Sequence, residues 1–150
     1  MAAVKRRTLL LALAALAVIV GIWVTVDHLV VTDAERIEVF LETVTGEVTS
    51  DKISSALEWV DTSRQPVEVH VMGRTDLYED GETLETRARE SMRRFMGQDL
   101  RILGENIDVE DDRATLDVRV INSQLGMVSA TFDFRKRGED WLISKVSVRR

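Results

Sequence analysis

The chain contains no cysteine. Disulfides, thiol nucleophiles, zinc–thiolate sites and lipid attachment at an N-terminal Cys are therefore excluded. His28 and His70 are the only histidines, too few for a His-rich metal site. Pro66 is the only proline, so there is no Pro-rich linker. Glycines are scattered singly, and no Gly-rich phosphate loop exists. Positive charge is also short. Against 26 acidic residues stand 20 basic ones, for a formal net charge of -6. Three of the basic groups, Lys5, Arg6 and Arg7, lie in the first 31 residues with one acid, Asp27. The remainder keeps 17 basic and 25 acidic residues, about -8. Nucleic-acid binding needs a basic face, so this balance argues against it, and equally against docking on an anionic lipid surface.

Hydrophobic residues make up 45% of the chain, and their excess is concentrated near its start. Residues 8–26 are uncharged and rich in Leu, Ala, Val and Ile. At ~1.5 Å per residue this run reaches roughly 28 Å, enough to cross a bilayer core. Lys5, Arg6 and Arg7 precede it, Asp27 follows it, and Trp23 sits near its outer end. The positive-inside rule then places the N-terminus in the cytoplasm and everything after Val31 outside it, in the periplasm if the source is bacterial. A cleaved signal peptide is the rival reading. Its small-x-small site, Ala15-Leu16-Ala17, falls inside the apolar run, and cleavage there would leave a bare apolar end. The expectation is an uncleaved signal-anchor in residues 1–31 and one domain in 32–150.

Thr32-Asp33-Ala34-Glu35 has the form of a capping box at a helix start. Ile37, Phe40, Leu41, Val44 and Val48 follow it on one stripe. Ser50-Asp51 opens a second, shorter helix with Ile53, Ala56, Leu57 and Val60 inward, and residues 61–66 turn. Residues 67–72 alternate as a strand and Gly73 stops it. Residues 74–81 read as a polar loop. Residues 82–96 predict a third helix closed by Gly97, with Leu84, Ala88, Met92, Phe95 and Met96 on one face. Residues 100–109, 114–121, 128–135 and 141–148 are strand-like runs joined by short polar turns, which predicts an antiparallel meander. Its apolar face carries Leu116, Val118, Val120, Val128, Phe132 and Phe134, with Ser144 the one polar residue expected inward on the last strand. Asp117, Arg119, Thr131, Asp133 and Lys145 mark the polar face. The fold class is α+β: a single transmembrane helix, then a cone-shaped domain of three helices packed on a curved, mainly antiparallel sheet.

The order of these elements resembles the nuclear transport factor 2-like (NTF2-like, SnoaL-like) superfamily. So does the closing stretch Phe132-Asp133-Phe134-Arg135-Lys136-Arg137-Gly138-Glu139-Asp140-Trp141-Leu142-Ile143, a strand, a charged Gly turn and a Trp-led last strand. The resemblance spans residues 33–150. It implies that a pocket can open between the helices and the apolar sheet face, where enzymes of the superfamily place an acid, a base or a Tyr pair. The superfamily includes enzymes, ligand binders and assembly modules, so the fold does not choose among them.

The inward positions are apolar nearly throughout, and proton-transfer chemistry needs a titratable group at the substrate. No catalytic residue is assigned and no cofactor is expected. Asp76, Asp80 and Glu82 lack the intermediate ligand and terminal Glu of a calcium loop, so no metal is assigned either. Arg87, Arg89, Arg93 and Arg94 make the third helix basic on its outer side, with Glu82, Glu85 and Glu90 in helical reach. That is the pattern of a salt-bridged, solvated face more often than of a phosphate site.

The expected function is a membrane-anchored, non-catalytic binding or assembly module with a protein partner or a homodimer. Ile121, Met127, Trp141 and Ile143 would be its contacts if they lie on the outer sheet face. The alternative is a small-molecule binder or hydro-lyase/isomerase-like enzyme with an apolar pocket. For that, His70, Tyr78 or Asp99 would have to face the pocket. A concavity with convergent polar groups favours the alternative, and a dry, filled one the module.

Overall fold

The computed structural model describes residues 32–150; the anchor expected at 8–26 lies outside them. Among the described residues no helix is long and apolar enough to cross a membrane. Helix α1 (Asp33–Val44) buries Ile37, Phe40 and Leu41, the i, i+3, i+4 set that faces a core. It stops where Gly46 takes φ +78°, and Thr45 returns its hydroxyl to the Leu41 carbonyl at 2.9 Å. Val48 therefore lies beyond the helix rather than on its stripe. It is buried all the same, pinned by its N–H on Gln98 O at 2.8 Å and its carbonyl on Gly97 N at 2.9 Å. Between them runs the two-residue strand β1 (Gly46–Glu47). Helix α2 (Ser50–Leu57) is capped by Thr49, one residue before the Ser50-Asp51 start expected, and its hydroxyl accepts from Lys52 N at 3.2 Å.

Strand β2 (Val67–Val71) is followed by a strand where a polar loop was expected. Residues Arg74–Tyr78 form β3, which folds back antiparallel on β2, pairing Val71 with Arg74 and Val67 with Tyr78. The hairpin turns at Met72 and Gly73, with φ of 47° and 85°. Two consecutive positive φ values are the geometry of the tight primed turns that match strand twist. Because β3 ends the sheet, Arg74, Thr75, Asp76 and Leu77 are all exposed, and no alternation marks it. Helix α3 (Gly81–Met92) is capped by Asp80, whose carboxylate accepts from Thr83 N at 3.0 Å. It continues as a 3-10 turn over Arg93–Phe95 and ends at Gly97 with φ +76°, so the predicted 82–96 helix is two segments.

The long strands β4 (Asp99–Glu110), β5 (Arg113–Asn122), β6 (Gly126–Arg137) and β7 (Asp140–Arg149) form the meander. The sheet order is β1-β4-β5-β6-β7-β2-β3, antiparallel throughout except for the parallel pair β7–β2. Two bulges bend it. On β4 the ladder skips Leu103, which is left exposed. On β7 it skips Ser144, whose hydroxyl donates to Asp133 O at 3.1 Å.

The three helices pack on one face of the sheet. At one end Phe40 meets Trp59, Phe132 and Phe134 edge-on, with ring centroids 5.0–5.4 Å apart. Leu116, Trp141 and Ile143 close the cluster. This core is built from residues within Asp33–Arg150, a compact unit by itself whose strands pair with one another.

Asp33 ties α1 to the last hairpin. Its carboxylate accepts the Trp141 indole N–H at 2.9 Å and the Lys136 ammonium at 2.9 and 3.0 Å. These bonds, Trp141 first and Lys136 next, hold its pKa below the ordinary value of 3.8 against the opposing effect of burial. A carboxylate with a depressed folded-state pKa stabilises above its unfolded value, and that stability is lost as pH falls through the folded one. Asp33→Ala is expected to cost about 1–2 kcal/mol near neutrality, the group being partly exposed. The deficit against wild type should shrink on going from about pH 7 to about pH 2.5 in urea titrations; a deficit independent of pH would contradict the assignment.

Candidate functional site

Beyond the aromatic cluster the space between helices and sheet is not filled. A cavity of about 520 Å³ runs from a floor at Phe40, Phe132, Val67 and Ile143 towards Val71 and Met72. Both Val71 and Met72 are exposed at its mouth. The reason is side-chain size. At the packed end the facing residues are Phe40, Phe134, Leu116 and Trp141. At the hollow end the sheet presents Val120, Val128, Ala130, Val146 and Val148, while Ala56 of α2 and Ala88 of α3 line the opposite walls. Short side chains on opposite walls do not meet, and contacts that do not meet are forfeited.

Helix α2 shows the consequence. Ile53, Ala56, Leu57 and Val60 point inward as its sequence predicts, yet the helix has no fully buried residue. Its apolar face borders the cavity instead of a packed core.

Polar groups are few on this wall, and most are already engaged. Asn122 is buried; its amide N–H₂ donates to Gln98 Oε1 at 2.9 Å and its Oδ1 accepts from Gln124 N at 2.8 Å. The Lys52 ammonium donates to Glu42 O at 3.2 Å and to Thr45 O, closing the end of α1. Among the described residues Glu47 is the one carboxylate that borders the cavity, exposed at its edge, and no imidazole does. Tyr78, Ser91, Arg87 and Arg94 also border it. A second hollow, bordered by Asp80, Glu82, Thr83, Thr86, Arg87 and Glu90, is an open polar dent over the start of α3.

Of the pocket residues anticipated from sequence, only Tyr78 borders the cavity. It stands opposite Val67 at the end of β3. His70 alternates with Val69 and Val71, which line the wall, and so projects from the other face, where its Nδ1 lies 2.7 Å from Thr75 Oγ1. Asp99 is exposed at the start of β4 beside β1 and does not reach the wall. Among the interface residues, Ile121 and Met127 pair directly, and Met127 is 57% exposed. Trp141 and Ile143 are 3% and 4% exposed and belong to the core, so neither is a surface contact. The bulge at Ser144 explains the reversal. An uninterrupted alternation through 141–148 puts Trp141 and Ile143 outward with Val146 and Val148 inward, whereas one extra residue turns all four to the same side. Ser144 itself is taken up by the bulge.

No protein-family model and no curated protein sequence matches the chain. Solved structures do. A de novo designed protein with a curved β-sheet superposes with a TM-score of 0.57 at 16% identity, covering 77% of this chain and 96% of that one. An NTF2-like protein of unknown function from Pseudomonas putida gives 0.55 at 12%, covering 75% and 79%. A DUF4783 family protein from Bacteroides fragilis gives 0.51 at 12%, covering 79% and 97%. At such identities the likeness is one of fold: the described domain has the α+β fold of these proteins, an NTF2-like one among them.

Proposed function

We propose that this domain is a non-catalytic binding module that takes up an apolar small molecule in its cavity, tethered to a membrane by residues 8–26 and held outside the cytoplasm. The observation that carries the reading is the hollow itself, about 520 Å³ with almost wholly apolar walls. That size is within the roughly 300–1,000 Å³ of small-molecule sites. An apolar occupant would cover the cavity-facing side of α2 and the hollow end of β5–β7, at Val120, Ala130, Val146 and Val148. An isomerase or hydro-lyase needs an acid and a base converging on the substrate. The one carboxylate on the wall, Glu47, is exposed at its edge, no imidazole of the described residues lines it, and Tyr78 is its one phenol, which favours binding over proton transfer. The tether and its orientation rest on the apolar run and the Lys5-Arg6-Arg7 flank.

The 32–150 fragment, titrated with dodecanol in a calorimeter, is expected to bind one molecule in the micromolar range with a negative heat-capacity change, the mark of apolar burial. No saturable binding up to the solubility of the alcohol would refute the reading. A second reading, assembly through the outer sheet face, is favoured by the exposed Met127 beside Ile121. It predicts that the fragment and the full chain retain the same specific protein from solubilised membranes, and that Met127→Asp abolishes the retention.

A further inference from the structure

We propose that the ligand is a single-chain amphiphile with an anionic head, its chain in the cavity and its head on Arg87 and Arg94; this rests on the cavity being a binding site. The stripe of α3 that lines the cavity is Leu84, Ala88 and Met92, continued by Phe95. Along its edge run Arg87, Ser91 and Arg94, at i, i+4 and i+7, all bordering the same cavity and all exposed. Arg87 and Ser91 stand one turn apart on α3, and Arg94 follows them on the 3-10 turn that continues it. Arginine side chains from either side are long enough to close over the serine between them.

The helix uses its arginines in two ways. Arg89, on the α2 side, is committed: it donates to Glu85 at 2.9 Å and to the Ser54 hydroxyl at 3.0 Å. Arg94 forms no ion pair among the described residues; its guanidinium lies 5.0 Å over the Phe95 ring, which holds the plane against an apolar surface. Arg87 has one ion pair, with Glu90 at 3.8 Å between two well-exposed side chains, a contact of little strength. The Ser91 hydroxyl has no hydrogen-bond partner among the described residues. The rim therefore offers two planar, multiply donating cations and one hydroxyl beside an apolar hollow, in a domain that is otherwise strongly acidic. A guanidinium engages a carboxylate or a phosphate through paired N–H donors, whereas an uncharged head leaves those donors to water. The charges opposing an anion there are Glu90, beside Arg87, Asp80 and Glu82, which border with Arg87 the dent over the start of α3, and Glu47 on β1.

The test compares three probes on the 32–150 fragment by calorimetry below their micelle concentrations: dodecanoate, lauroyl-lysophosphatidylglycerol and dodecanol. At least one anion should bind about tenfold more tightly than dodecanol, with the preference weakening as salt rises. Preference for dodecanoate identifies a free acid as the source, and preference for the lysolipid identifies the membrane; either supports the proposal. The double variant Arg87→Gln/Arg94→Gln should lose the preference, read as the ratio of anion affinity to dodecanol affinity in the same variant. Both side chains are solvent-exposed, so the fold does not depend on them. Equal binding of all three probes, or a preference that survives the double substitution, overturns the head-group assignment and leaves the cavity reading standing. Absence of binding by all three overturns both.

Discussion

Phe40→Ala is expected to lower the unfolding free energy by about 3–5 kcal/mol, the range for emptying a buried aromatic site. Phe40 is 1% exposed and is the one ring that touches Trp59, Phe132 and Phe134 together. Each of those edge-to-face contacts adds to the apolar area the ring buries. The site cannot easily collapse around an alanine. One side of Phe40 is packed core, and the other is the cavity floor, where no atoms stand ready to move in. Most substitutions in a core recover part of their cost by relaxation, and this one should recover little. Against a total stability of about 5–15 kcal/mol the loss is a large fraction. Urea denaturation of the 32–150 fragment should show a lowered midpoint with an unchanged slope. A loss below about 1 kcal/mol would mean that the ring is not the keystone between packed and hollow halves.

The parts of this fold that were legible in the sequence are those where one face is buried and the other wet. Strands β5 and β6 announce themselves through Leu116, Val118 and Phe134, and α1 through Ile37, Phe40 and Leu41. Where that contrast fails, reading fails. Strand β3 has solvent on nearly every side, so Arg74 to Leu77 look like a loop. A primed turn is usually announced by Asn-Gly, and here Met72 takes the left-handed position. Strand β7 alternates properly on either side of Ser144, but a bulge is a matter of register with the neighbouring strand and leaves no mark on periodicity. That single residue reverses Trp141 and Ile143. The cavity was hidden for a different reason. Periodicity gives the direction of a side chain and says nothing of what stands opposite. A signal was present in side-chain size: inward positions change from Phe134, Phe132, Leu116 and Trp141 at one end to Val120, Ala130, Val146 and Val148 at the other, with Ala56 and Ala88 facing them. The basic edge of α3 was visible as a cluster, but only the fold separates Arg89, locked to Glu85, from Arg87 and Arg94 on the rim.

Filling the hollow should separate binding from stability. Ala130 lies mid-sheet between Val118 and Val148, and Ala88 lines the α3 wall; both border the cavity. Phenylalanine at each, Ala88→Phe with Ala130→Phe, places a ring in space that native side chains leave empty. If the rings exclude about four methylenes of a bound chain, at about 0.8 kcal/mol each, dodecanol affinity falls by about 3 kcal/mol, roughly a hundredfold. The folded state should not suffer in proportion. New rings against Val146, Val148 and Met92 supply contacts these walls lack, and cavity filling commonly stabilises by about 0.5–2 kcal/mol. The expected signature is therefore a domain that melts at the same or a higher temperature and no longer binds. Each alternative gives a different pair of readings. Were the space already closed in solution, the added rings would overpack it and cost about 1–3 kcal/mol. Were the ligand held on the outer sheet face, by Ile121 and Met127, affinity would survive the filling unchanged. Only a hollow that is both open and the seat of the ligand's chain couples stability retained to binding lost.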